Sequence, residues 1–189
     1  MIFHLTPAVL QSLMGSTITC AMMDLLASAP VAIRPCSPSI RFANGGKQIG
    51  IKHYPDAQDL LILADCGGSN GYRPRLWKYQ LQHALCNRFG MTVKVCHYPP
   101  GSSKWNLIEH RMFSFISMNW AAQPLLNYET VLNFITTTKT EAGLNIQSSL
   151  NDTVYTTGIK ITDRQFQALE LKRHTQRPNW NYSICPSRT

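Results

Sequence analysis

The stretch Asp59-Leu-Leu-Ile-Leu-Ala-Asp65-Cys-Gly-Gly-Ser-Asn-Gly71 decides the expected fold. A short continuous apolar run between an acidic residue and a glycine-rich turn reads as a buried strand ending at Asp65. Residues 66–71 are the loop that follows. Pro74 suits the first turn of a helix to about residue 88, with Leu76, Leu81, Leu85 and Phe89 for its inner face. Gly90 fits that helix's C-cap, and Thr92-Val-Lys-Val-Cys96 reads as a second strand. His97-Tyr-Pro-Pro-Gly101 is a stiff loop, after which Ser102 or Ser103 can cap a helix to about residue 119. Strand, helix, strand, helix at this spacing predicts an α/β fold with a βαβα core and parallel strands.

Outward from this core the pattern is uneven. A further helix is expected from Tyr128 to about Glu141, and Thr162 caps a shorter one. Residues 172–182 carry Lys172, Arg173, Arg177, Trp180 and Tyr182 and no acid, a segment able to pack back on the domain. Before residue 46 there is no clean period of either kind, and only a helix over about 7–26 suggests itself.

The whole chain of 189 residues holds enough for one domain with a core. Its net charge of +8 favours an anionic partner, nucleic acid first. Residues 1–46 contribute only Asp24, Arg34 and Arg41, so +7 of that charge and all four tryptophans lie in residues 47–189. At 44% apolar and 15% charged, the chain is not a disordered tail. None of the six cysteines forms a C-x-x-C pair, so free thiols in a reduced cytosol are expected rather than structural zinc. The apolar start loosely resembles a secretory signal, but it has no Lys or Arg before Arg34 and is broken by Pro7, Gln11, Ser12 and Asp24. No stretch reaches the ~20 apolar residues of a spanning helix. A soluble cytoplasmic protein without a membrane partner is expected.

Asp65 stands where open α/β sheets place their ligands, at the C-terminal end of a parallel strand. By itself it reads first as a strand-end carboxylate capping the backbone of its own loop. The adjacent glycines are not a Walker cradle, since no Gly-Lys-Ser/Thr follows. Glu109 lies about two turns into the helix after the second strand, which starts at the same sheet edge. Asn106 shares its face at i−3, and His110 adjoins it. Two carboxylates brought together repel unless a cation lies between them. Oxygen ligands suit Mg²⁺ or Mn²⁺, and two such ions about 3.5–4 Å apart can clamp a phosphodiester during in-line displacement. A site of that kind usually needs a third carboxylate. Arg73, Arg75 and Lys78 alternate with Tyr72, Trp77 and Tyr79, and Lys104 and Trp105 head the Glu109 helix. Such cations and rings suit phosphate contacts and base stacking, or else a solvated helix face with Trp77 in the core.

Together these residues carry a resemblance. Leu60 to Trp77 resembles the second-aspartate block of bacterial insertion-sequence transposases of the Rhodopirellula-type DDE group. Cys96-His-Tyr-Pro-Pro-Gly-Ser-Ser-Lys-Trp-Asn-Leu-Ile-Glu-His-Arg-Met-Phe-Ser-Phe-Ile116 resembles the block with that group's final glutamate, and its Asn-x-x-Glu core is similar to a mariner-type segment. Asn119-Trp120, Tyr128-Glu-Thr130, Gly158-Ile-Lys160 and Asn179-Trp-Asn-Tyr182 extend the likeness over about 47–184. The resemblance implies an RNase H-like fold, two divalent metals, and cleavage and joining of DNA at transposon ends. Asp65 and Glu109 would be the second and third acidic ligands, with water or a DNA 3′-hydroxyl as nucleophile.

The front of the chain departs from that pattern. Family members carry a longer N-terminal region whose first strand holds the first aspartate. Met22-Met23-Asp24 does not resemble that block. The expectation is therefore a partial RNase H-like domain over 47–189, its first strands missing, preceded by an atypical segment 1–46 from a shifted frame. On this reading a truncated transposase shows little strand transfer alone. The alternative is a non-catalytic DNA-binding or inhibitory partner that assembles with itself or with full-length transposase. A general ribonuclease H is a third reading, one the two blocks do not favour outside the acids.

Overall fold

The computed structural model describes residues 2–6, 17–21, 54–64, 66, 70–102, 105, 113–141, 146–151 and 158–187. Strand β1 (Ile2–Thr6) pairs antiparallel with β5 (Gln147–Asn151) in a two-stranded sheet. The main sheet has five strands in the order β2 (Thr17–Ala21), β3 (Asp59–Ala64), β4 (Thr92–His97), β7 (Asn181–Ile184) and β6 (Leu171–Arg173). Its centre is β3 (Asp59–Ala64) beside β4 (Thr92–His97), parallel and in register from Asp59 against Thr92 to Ala64 against His97. This is the predicted pair, joined by the predicted helical crossover.

On the other edge of β3 runs β2 (Thr17–Ala21), also parallel. Here the sequence predicts a helix over 7–26. The described part is a strand, in keeping with the β-branched Thr17, Ile18 and Thr19 and with the pairing partner that β3 offers. Strands β1 and β2 both come from the first 46 residues, where the sequence signals none.

Burial alternates strictly along β3 and β4: Leu60, Ile62 and Ala64, then Val93, Val95 and His97, face the interior. A five-residue apolar run reads as buried on both faces, but Leu61 and Leu63 are only partly covered. The inner face is covered by helix α1 (Arg75–Leu81), a π-helical segment (Gln82–Cys86) and a last turn, α2 (Asn87–Phe89). Trp77, Leu81 and Leu85 at i, i+4 and i+8 point into the core with Cys86, so the stripe centres on Trp77 rather than on Leu76. Gly90 ends the helix at φ +66°, the left-handed C-cap that a residue without Cβ adopts at no steric cost.

The chain then forms α3 (Ser114–Asn119) and α4 (Tyr128–Thr137). Asn127 caps α4 by accepting from the Thr130 N–H at 2.8 Å. Asn119 Nδ2 donates to the Phe134 carbonyl at 2.6 Å and ties the two helices together. Phe113, Ile116, Val131, Ile135 and Ile146 are buried here. Helix α5 (Asp163–Gln167) opens on Thr162, the predicted cap, which forms a full capping box with Gln165. Last come β6 (Leu171–Arg173) and β7 (Asn181–Ile184), an antiparallel pair whose second strand lies antiparallel on β4. The basic-aromatic C-terminal segment thus completes the sheet, and Tyr182 and Ile184 join the core.

Candidate functional site

Because β3 and β4 are parallel and level, the segments that follow them leave the sheet at one edge. The Tyr98 N–H donates to the Ala64 carbonyl at 2.8 Å, extending the ladder by one residue, and Cys66 Sγ donates to the Tyr98 carbonyl at 2.8 Å. The His97 N–H donates to the Trp180 carbonyl at 3.2 Å, which brings the chain entering β7 to the same edge.

Around these strand ends the side chains form an aromatic cluster. The Tyr72 ring lies 6.3 Å from His97, edge to face, and 6.1 Å from Trp180, while His97 lies 6.0 Å from Tyr182. Trp77 and Tyr182 are 1% and 0% exposed, and the indole N–H donates to the Tyr182 hydroxyl at 2.9 Å. Trp77 is therefore a core residue, one of the two roles its sequence setting allows. Burial also raises the Tyr182 phenol above its ordinary range and raises the Cys96 thiol.

The basic residues divide. Arg73 is exposed, its Nε donating to the Tyr72 hydroxyl at 2.9 Å and its guanidinium 5.2 Å from that ring. Arg177 lies over Trp180 at 5.7 Å and is also exposed. Arg75 forms an ion pair with Asp163 of α5 at 2.5 Å and lies over Phe166, with both charged ends largely in solvent. Lys78, expected among the DNA-facing cations, is only 3% exposed. Its ammonium donates to the Tyr72 carbonyl and lies 5.2 Å from the Tyr182 ring. Desolvation, then the positive charge of Arg173, holds its pKa down at about 8. Trp105 is 68% exposed, and its backbone N–H donates to the Ser102 carbonyl at 2.9 Å.

Asp65, Glu109, Asn106, His110 and Lys104 lie outside the described residues. Among the described residues, no group of three or more His, Cys, Asp or Glu could hold a metal ion. Cys86, Cys96 and Cys185 are free thiols. Cys86 donates to the Ile184 carbonyl at 3.2 Å, and burial pushes its pKa up to about 12. No described helix is long and apolar enough to cross a membrane.

Sequence reasoning missed the inward turn of Lys78 and the partnership of Trp77 with Tyr182. The alternation Asn179-Trp-Asn-Tyr182 hints at a strand, but nothing local says that this strand joins β4.

The β3–crossover–β4 unit thus brings strand ends and the exposed Arg73 and Arg177 to one edge of a mixed α/β fold, the edge where open α/β sheets place their ligands. The family described as the Rhodopirellula transposase DDE domain matches residues 46–186, and the chain belongs to that family. No curated protein and no solved structure matches the chain significantly.

Proposed function

We propose that this chain is an insertion-sequence transposase that cuts and joins DNA at transposon ends by metal-dependent phosphoryl transfer, within an RNase H-like domain over residues 47–189. The observation that carries this reading is the family match, which spans both the Asp65 and the Glu109 blocks. The level, parallel β3 and β4 support it, since the segments after both strands leave at one edge.

Asp65 and Glu109 are the carboxylates that would hold two Mg²⁺ or Mn²⁺ ions, whose hard-cation preference for oxygen donors they suit. When bound, the ions supply nucleophile activation and charge neutralisation at the phosphate. Asn106 and His110, close to Glu109 in sequence, support it. Water attacks phosphorus and the bond to the 3′ oxygen breaks, releasing a 3′-hydroxyl; that hydroxyl then attacks a second phosphodiester and displaces its 3′ oxygen. Arg73, Arg75, Lys104 and Trp105 contact phosphates and bases, with Arg177 joining them from the β6–β7 turn. Lys78 makes no direct DNA contact, because its ammonium is already held inside.

The test is Mg²⁺-dependent cleavage and joining of transposon-end DNA by the wild-type chain beside D65N and E109Q. Activity lost in both variants supports the assignment; activity retained in either overturns it. A second reading, a non-catalytic DNA-binding or inhibitory partner of full-length transposase, is favoured by the exposed Arg73 and Arg177, which can hold DNA without cutting it. It expects DNA binding without cleavage, and reduced joining when the chain is mixed with full-length enzyme. Joining by the chain alone refutes it.

A further inference from the structure

Lys78 is a cation sealed inside a protein that has many places to put one outside. Its stem rises from α1 beside Trp77, and its ammonium ends between the Tyr182 ring and the Tyr72 carbonyl. A buried ammonium is costly unless its donors and charge find partners. Here one partner is the backbone of the loop leading away from Asp65, and the other is a ring on β7. Tyr72 has a second attachment: its hydroxyl accepts from Arg73 Nε, and its ring lies beneath the Arg73 guanidinium. The exposed Arg73 charge is thus seated on a tyrosine whose main chain Lys78 holds.

We propose that Lys78 is a positioning residue for DNA binding: it fixes the Tyr72 backbone so that the Tyr72 side chain presents Arg73 to a phosphate. This rests on the reading of the chain as a DNA-acting protein. Lys78 touches no DNA itself. A salt-bridging lysine would contribute its own charge to the interface, whereas Lys78 contributes only through Arg73.

The experiment compares wild type, K78M, R73A and K78M/R73A at pH 7 on double-stranded transposon-end DNA, reading affinity against salt. Each lost phosphate contact lowers the slope of log affinity on log salt by about 1. R73A is expected to lose one such contact. K78M is expected to lose the same one, and the double variant no more than R73A alone. Hydrogen exchange in residues 70–74 should accelerate at least tenfold in K78M while the β3 and β4 amides stay protected.

Unchanged exchange in 70–74, or effects of K78M and R73A on affinity that multiply, overturns the proposal. If K78M does not fold, Y72F decides. That variant keeps the carbonyl held by Lys78 and deletes the hydroxyl that seats Arg73, so a salt slope equal to wild type overturns the relay. If wild type binds no DNA, the functional reading fails, and the exchange data still judge the hold of Lys78 on its loop.

Discussion

Replacing Tyr182 with phenylalanine removes one oxygen from the interior and should cost more than its size suggests. The hydroxyl accepts the Trp77 indole N–H at 2.9 Å, and both side chains are fully buried. A buried hydrogen bond contributes about 1 kcal/mol net, but removing only the acceptor leaves the donor's desolvation uncompensated, raising the cost to about 1–3 kcal/mol. The phenylalanine ring keeps the packing against Lys78 and His97, so little of the loss comes from volume. For a chain of this length, about 2 kcal/mol corresponds to a fall in Tm of roughly 4–8 °C. Trp77→Phe removes the donor together with part of a large ring, and by itself costs more than the hydrogen bond does.

Urea unfolding at pH 7 of wild type, Y182F, W77F and the double variant isolates the pair. The two substitutions should overlap by about 1 kcal/mol or more, because once one partner is gone the other has less to lose. The slopes on urea should stay equal, since the buried surface hardly changes. Additive costs, or a Y182F loss below about 0.5 kcal/mol, would refute the claim that this contact fastens the C-terminal strand to α1.

Three further outcomes are expected. Asn127→Ala should destabilise by about 1 kcal/mol in thermal melts, because it deletes the side-chain cap of α4. Gln82→Met keeps the volume but breaks the bonds to the Glu170 N–H at 2.8 Å and the Ser187 hydroxyl at 2.6 Å, and should cost about 1–3 kcal/mol by urea unfolding. Stability followed against pH should rise from about pH 8 to 9: folded Lys78 releases its proton near 8 while the unfolded lysine holds it to 10.5, so the unfolded state binds more protons there. Above about 9 the rise should flatten, since the unfolded Cys86 thiol ionises while the folded one waits until about 12; K78M should lack the rise altogether.

What the sequence makes legible is what short-range chemistry controls. The β3 run, the Gly90 C-cap and the Thr162 N-cap each act within a few residues, and each stands where its sequence says. The misreadings all involve distant partners. Residues 17–21 form a strand because β3 lies beside them, a pairing across some forty residues that no local period encodes. Lys78 looks like a surface cation because its neighbours alternate charge and aromatic ring. Its actual surroundings are a carbonyl six residues back and a ring from β7, over a hundred residues on. A long aliphatic stem makes that burial possible without announcing it.

The same distinction changes how the net charge should be read. A total of +8 suggests a broadly basic surface, but several of its cations have other partners. Lys78 is internal, and Lys94 pairs with Asp59 at 3.2 Å on the sheet. Arg173 donates to the Pro178 carbonyl and the Asn179 side chain, bracing the β6–β7 turn. Arg73 and Arg177 differ from these, because each rests on an aromatic ring of the strand-end cluster and keeps its charge exposed. A planar guanidinium on a ring has less freedom to lose when it meets a phosphate. The exposed charge that the proposed function assigns to DNA is therefore concentrated and oriented at the edge where β3 and β4 end, and Tyr72, Trp180 and Tyr182 serve as its foundation.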